Sequence, residues 1–274
     1  MLDNSYFENH LGSKIEFATG GIYLNYNTLR DYDWGYNSDN NIINSFAKGI
    51  VQKTIPIIIV EDSKTKRDTI FEIAEVDILA EVQGKFYING YSMSCYITAI
   101  NTTKYLANGD YMYCDLNIAT DNPVWRKDTT TTFGIVEATE SIGAFDYPYN
   151  YPYGYTKTFS AQTLENLNFT DSSFQLTMQG PIVDPIIVVG SNTYSVFISL
   201  EASEFLTISS IGETVKTITK TAPTGEVTNV FDKRNKLYNN FKKIEVGVNL
   251  VIWSGLFAFE VKLIELRGEP KWTL

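Results

Sequence analysis

Period-two alternation of apolar and polar residues constrains this chain more than any other pattern. Residues 173–179, "SFQLTMQ", put Phe174, Leu176 and Met178 on one face and Ser173, Gln175, Thr177 and Gln179 on the other. Tyr194, Val196, Ile198 and Leu200 alternate within 193–201, and Phe257, Phe259, Val261 and Leu263 within 257–265. Successive strand side chains point to opposite faces, so each run offers one dry and one wet surface. Turn formers separate the runs: "GSN" at 190–192, "SIGE" at 210–213, "PTGE" at 223–226 and "WSG" at 253–255. Antiparallel sheets stacked face to face require this arrangement. The C-terminal half is predicted to be an all-β sandwich.

The N-terminal half is mixed. Strands are predicted at 14–17, 22–26, 54–60, 91–100 and 111–120, with Pro56 confining the third to an edge or a bulge because proline donates no ladder hydrogen bond. One helix is predicted over 68–82. Thr69 and Glu72 form its capping box. Phe71, Ala74, Ile78 and Val82 supply its inner face, and Glu72, Glu75 and Glu81 its wet side.

Between the halves lies "FDYPYNYPYGY", 145–155, with tyrosine at every second position from Tyr147 to Tyr155 and Pro148 and Pro152 between them. Proline fixes φ and biases the preceding residue toward extended backbone. A stiff connector is the expectation. A stacking platform for sugar is the rival, and it lacks a nearby cluster of Asn, Arg, His and Glu to bind hydroxyls. A length of 274 residues fits two domains. The expected division is 1–140, a connector at 141–158, and 159–274.

Charge narrows the function. A net charge of −10 and a pI near 4.7 argue against a nucleic-acid surface, which needs clustered Lys and Arg, and against anionic membranes. The most basic stretch, 231–243, dilutes Lys233, Arg234, Lys236, Lys242 and Lys243 with Asn and Tyr, and reads as a solvated loop. The longest apolar run, "IPIIIVE" at 55–61, is strand-sized rather than membrane-spanning. "MLDNSYFENH" lacks the pattern of a signal peptide, so folding in a cytoplasm is expected. Cys95 and Cys114 are then reduced, buried thiols in preference to a disulfide.

No catalytic, cofactor or metal site is predicted. His10 is the only histidine and is read as a surface residue in a mobile terminus. No CxxC, GxSxG, GxGxxG or P-loop pattern occurs. "DYDWGYNSDNN", 31–41, resembles a calcium loop only faintly and is read as a polar loop. A carboxylate pair for glycoside hydrolysis depends on spatial separation, and nothing singles one out. The tryptophans carry structural expectations. Trp125 anchors the end of the first domain, its indole N–H on a carbonyl. Trp253 packs in a core, and Trp272, with Arg267 and Pro270, straps the tail back onto a surface.

Three segments carry a family resemblance. "TDNPVWRKDTTTTF", 120–133, looks like the Asp-x-Pro-x-Trp element that closes the first domain of phage distal tail proteins. "FQLTMQGPIVDPIIVVGSNTY", 174–194, resembles the strand pair opening their second domain. "NVFDKRN" through "GVNLVIWSG", 229–255, followed by "ELRGEPKW", 265–272, is similar to that domain's closing strands and terminal Arg…Pro-x-Trp. The Tyr-Pro connector sits where that family's linker sits, so the resemblance spans nearly the whole chain.

The resemblance implies a non-enzymatic component of a siphophage tail tip, assembled in the host cytoplasm and resident in the virion. Its N-terminal domain would be β-sandwich-like with one helix and close into a homohexameric ring. Its C-terminal domain would be a galectin-like antiparallel β-sandwich outside the ring. The implied partners are further copies of the chain, the tail tube protein, the tail-associated hub protein, the tape measure and receptor-binding proteins. No cofactor is implied. An acidic lumen would let DNA pass without binding it. The alternative is a carbohydrate-binding adhesin that contacts the host wall. A galectin site uses histidine, and the second domain has none.

Overall fold

Alternation in sequence becomes alternation in burial. Within residues 173–179, Phe174, Leu176 and Met178 are buried and the polar residues between them lie toward solvent. The structure, a computed structural model, describes residues 4–17, 19–24, 28–30, 35–47, 49–108, 110–136, 160–212 and 215–272. The connector expected at 141–158 lies outside the described residues. The chain divides into two compact units, residues 1–127 with 266–274, and residues 128–265.

The first unit contains β1 (Ser5–Glu8), β2 (Lys14–Glu16), β3 (Ile22–Leu24), β4 (Gly35–Asp39), β5 (Ile42–Ala47), β6 (Val51–Val60), helix α1 (Ser63–Ala80), β7 (Gly84–Ile88), β8 (Tyr91–Leu106), β9 (Tyr111–Thr120) and the start of β10 (Trp125–Phe133). β2, β1, β7 and the first part of β8 make one antiparallel sheet. β3, β6, β9 and the rest of β8 make the other. One strand serves both sheets because β8 slips register against β9 at Ile97/Ala99 and again at Thr102/Lys104, and bulges bend and twist a strand. Phe7, Ile57, Phe86, Ile97 and Leu116 lie in the shared core.

β6 corrects the expectation set by Pro56. Over Ile57–Ile59 it has β3 on one side and β9 on the other, so it is an interior strand there. Pro56 pairs with Asp115 of β9, one residue beyond the described pairing with β3.

The helix departs from expectation at its start and in its inner face. It begins at Ser63, and Thr69 sits mid-helix with its hydroxyl on the carbonyl of Thr65 at 3.0 Å, so no capping box forms there. Asp110, 47 positions away in the β8–β9 turn, takes the cap role. Its carboxylate accepts the Ser63 amide at 3.0 Å and the Ser63 hydroxyl. Those bonds, the hydroxyl first, hold the Asp110 carboxyl below its ordinary value. The buried face is Ser63, Ile70, Ala74 and Asp77. A buried acid turns the helix away from its apolar stripe, and Phe71, Ile78 and Val82 are exposed.

The second unit contains the end of β10, β11 (Ser160–Asn166), β12 (Ser173–Gln179), β13 (Ile182–Val183), β14 (Ile186–Val189), β15 (Asn192–Ser195), β16 (Ser199–Leu200), β17 (Phe205–Ser209), β18 (Thr217–Thr221), β19 (Val227–Asn229), β20 (Gly247–Trp253) and most of β21 (Phe259–Arg267). β19, β18, β17, β12 and β21 form one antiparallel sheet, and β11, β20, β14 and β15 the other. The inner residues of both sheets make one core, so the predicted sandwich is present. Trp253 fills its centre, edge-on to Phe133 at 5.8 Å and Phe259 at 5.3 Å, and its indole donates to the Phe257 carbonyl at 3.2 Å.

The basic stretch 231–243 is anchored rather than loosely solvated. Asn240 is buried, accepts the Ser195 amide at 2.7 Å and donates to the Asn235 carbonyl at 3.2 Å. Asn166 donates to the Ile244 carbonyl at 2.9 Å. Short polar side chains thus supply the backbone partners that sheet neighbours do not.

Candidate assembly surfaces

His10 is not the mobile surface residue expected. It lies in the β1–β2 turn, with its ring Nδ1 2.6 Å from Asp77 Oδ1 and its backbone N–H donating to the same oxygen at 2.9 Å. Asp77 is fully buried on α1, and its Oδ2 has no partner. Gly84 makes room: a Cβ there would collide with Asp77 Oδ2 and the Phe7 ring. A His–Asp pair orients a catalytic base only when a nucleophile faces the free ring nitrogen. Among the described residues no hydroxyl or thiol is hydrogen-bonded to that nitrogen. The pair ties a turn to a helix.

Among the described residues no group of three or more His, Cys, Asp or Glu is placed to hold a metal. Both thiols are free and buried. Burial pushes the Cys95 thiol up to about 12 and raises that of Cys114 as well. Neither is activated as a nucleophile. The polar loop expected over 31–41 is instead part of a hairpin: residues 35–39 are β4, Asn40 and Asn41 turn with positive φ, and β5 returns. Residues 31–34 lie outside the described residues.

That hairpin is the first of three exposed surfaces. Its register runs Tyr36↔Phe46, Asn37↔Ser45, then Ser38↔Ile43, leaving Asn44 as the extra residue of a bulge. Opposed residues share a face, so the bulge brings Ile43 onto the face of Tyr36 and Phe46. All three are exposed. Asn37 and Ser45 hydrogen-bond at 3.2 Å on the other face. A two-stranded ribbon is marginal alone in water, and an uncovered apolar face on it marks a contact surface.

The second surface is the outer side of α1, where Phe71, Ile78 and Leu79 are exposed, with exposed Val82 just past the helix end. The third is the tail. Arg30 is buried and donates from Nε to the Pro270 carbonyl and from Nη2 to that of Lys271, each at 3.2 Å. Asn89 donates to the Lys271 carbonyl at 3.2 Å. The Arg30 guanidinium lies 3.9 Å from the ring centre of Trp272, which is still 65 % exposed. The tail therefore straps onto the first unit, as its composition suggested. Trp125 is buried as expected, but its indole N–H has no carbonyl partner among the described residues.

On the outer face of the four-stranded sheet in the second unit, aliphatic residues of β20 stand opposite Glu165 and Thr163 of β11. Val248 and Leu250 are exposed on β20, and Ile252 beside them pairs with Val188. A sugar platform would need aromatic rings there.

No known family profile and no curated protein matches the sequence. Solved structures do match. The SPP1 Dit protein, described as a paradigm of the hub adsorption apparatus of phages infecting Gram-positive bacteria, aligns with 97 % of this chain and 100 % of its own, at 7 % identity and a TM-score of 0.55. This chain has the Dit fold. A chain of the phage P2 baseplate in its activated conformation with calcium aligns with 98 % of this chain and 100 % of its own, at 13 % identity and a TM-score of 0.52. The strontium form gives 14 % identity and a TM-score of 0.53 over the same shares. The resemblance to distal tail proteins read from the sequence thus holds for the fold, from end to end.

Proposed function

We propose that this chain is a structural subunit of a siphophage tail tip, a distal tail protein. In this reading the N-terminal part, 1–140 by sequence, closes into a homohexameric ring that joins the tail tube protein to the tail-associated hub protein. The second unit lies outside the ring, where it offers an anchoring surface to receptor-binding proteins. The tape measure and DNA pass through the centre, and the assembled particle is the site of action. No reaction is assigned to it.

The observation that carries the reading is the likeness to the Dit and baseplate chains across 97–98 % of the sequence. Fold alone does not fix function. The surface adds independent support, since the Tyr36, Ile43 and Phe46 face and the outer side of α1 leave large apolar side chains in water, and monomers rarely keep such patches bare. Light scattering on the purified chain, with images of the main peak and pull-downs of tail tube and hub proteins, tests the reading. Rings that capture both partners support it, and failure to bind either sinks it.

A further inference from the structure

The basic stretch 231–243 has no part in the assembly reading. It carries Lys233, Arg234, Lys236, Lys242 and Lys243 against one acid, Asp232. The stretch closes on itself. Phe231 and Phe241, near its two ends, stack at 5.6 Å and pack against the core of the second unit. Between them, buried Asn240 donates to the Asn235 carbonyl at 3.2 Å, and the Asn235 amide donates to the Ser195 carbonyl at 3.0 Å. A loop pinned at these points gathers its cations into one area.

The rings hold cations instead of offering bare faces. Arg234 lies 4.2 Å from the ring centre of Phe231, and its Nη1 donates to the Phe231 carbonyl at 3.0 Å. Lys216, the residue before β18, joins them with its Nζ 5.8 Å from the ring centre of Phe241. Lys242 is paired with Glu245 at 2.8 Å. Among the described residues, Lys216, Lys233, Arg234, Lys236 and Lys243 form no salt bridge. Cations drawn together by aromatic faces repel one another, and a bound anion would offset that repulsion.

We propose that this loop, with Lys216, is a binding site for a flexible, base-free phosphodiester polymer. Lysine and arginine hold phosphate oxygens through charge-assisted hydrogen bonds. The cations sit on different rings and along the loop, which suits single charges repeated along a chain better than one small anion. Nucleic acid is a poorer match. The ring faces are engaged by each other and by the cations, so bases find no stacking platform. A duplex is also stiff over about 150 base pairs, and would press further phosphates against an otherwise acidic chain. Binding here needs neither a closed ring nor a tail partner.

Titration calorimetry of the full chain with poly(glycerol phosphate), a base-free phosphodiester, tests the site. Saturable binding is expected at about 50 mM salt, weakening roughly tenfold or more by about 200 mM as phosphate counterions compete. Lys233→Gln with Lys236→Gln should weaken it about tenfold and lower the salt slope by about 1 per lysine. Lys85→Gln with Lys104→Gln, the same charge change in the first unit, should leave it near native. All four lysines are exposed, so both variants should melt like the native chain. Absence of saturable binding overturns the proposal, as does equal loss in the two variants. Duplex DNA or poly-glutamate bound as tightly also overturns it, the first marking a nucleic-acid site and the second a protein contact.

Discussion

His10 Nδ1 lies 2.6 Å from Asp77 Oδ1, so the only histidine of the chain stands against a fully buried carboxylate. Removing the imidazole leaves Asp77 Oδ1 with the residue 10 backbone N–H as its partner. His10→Ala should therefore destabilise the chain by about 1–3 kcal/mol, read as a shift of the urea midpoint at constant slope. Asp77→Asn keeps an acceptor for the His10 amide and should cost less. Equal and negligible effects from both would show that the pair does not hold the turn.

Gly84→Ala probes the same spot from the other side. The added methyl would strike Asp77 Oδ2 and Phe7, and overpacking of a filled core costs about 1–3 kcal/mol. A melting temperature equal to that of the native chain would contradict the packing described.

The cap on α1 makes an acid-limb prediction. The Asp110 carboxyl is held below its ordinary value of 3.8, chiefly by the Ser63 hydroxyl and amide. A carboxylate with a depressed folded value stabilises the fold above its unfolded value and loses that contribution as pH falls through the folded one. Native chain and Asp110→Asn should differ in stability at neutral pH and converge below pH 3.8. Curves that stay parallel through that range would rule the cap out.

This cap also shows where sequence reading ends. Alternation marked the second sandwich correctly, with Phe174, Leu176 and Met178 buried in the order they were written. The period-two signal is local, and so is the turn chemistry between runs. The start of α1 was not local, because its cap comes from Asp110 on the far side of β7 and β8. Nor was its inner face, since a buried Asp77 contradicts the rule that acids face water, and only His10 in space resolves it. Two signals were legible and missed. Asn89-Gly90 closes the β7–β8 hairpin with positive φ at both residues, and Asn40-Asn41 does the same for β4–β5. The apolar face of the β4–β5 hairpin depends on the bulge at Asn44, and alternation alone separates Ile43 from Phe46.

The tail contact yields a truncation prediction. Removing 267–274 strips Arg30 of two carbonyl acceptors and a stacked ring. The truncated chain should melt lower and assemble less. Arg30→Lys should lie between, because an ammonium cannot reproduce the planar fork. Unchanged melting and unchanged assembly together would refute a role for the strap.

The hairpin separates folding from assembly. Ile43→Ser with Phe46→Ser alters side chains already in water, so the melting temperature of the free chain should move little, within about 0.5 kcal/mol of native stability. Self-association should fall sharply. A large loss of stability with assembly intact would place those side chains in a core instead.

The most direct measurement of the central claim is the solution mass of the intact chain by light scattering, with images of the main peak. The account predicts a closed ring at a multiple of 31.0 kDa, alone or on adding the tail tube protein. A 31.0 kDa particle that stays single with every tail partner, and binds none of them, would contradict it.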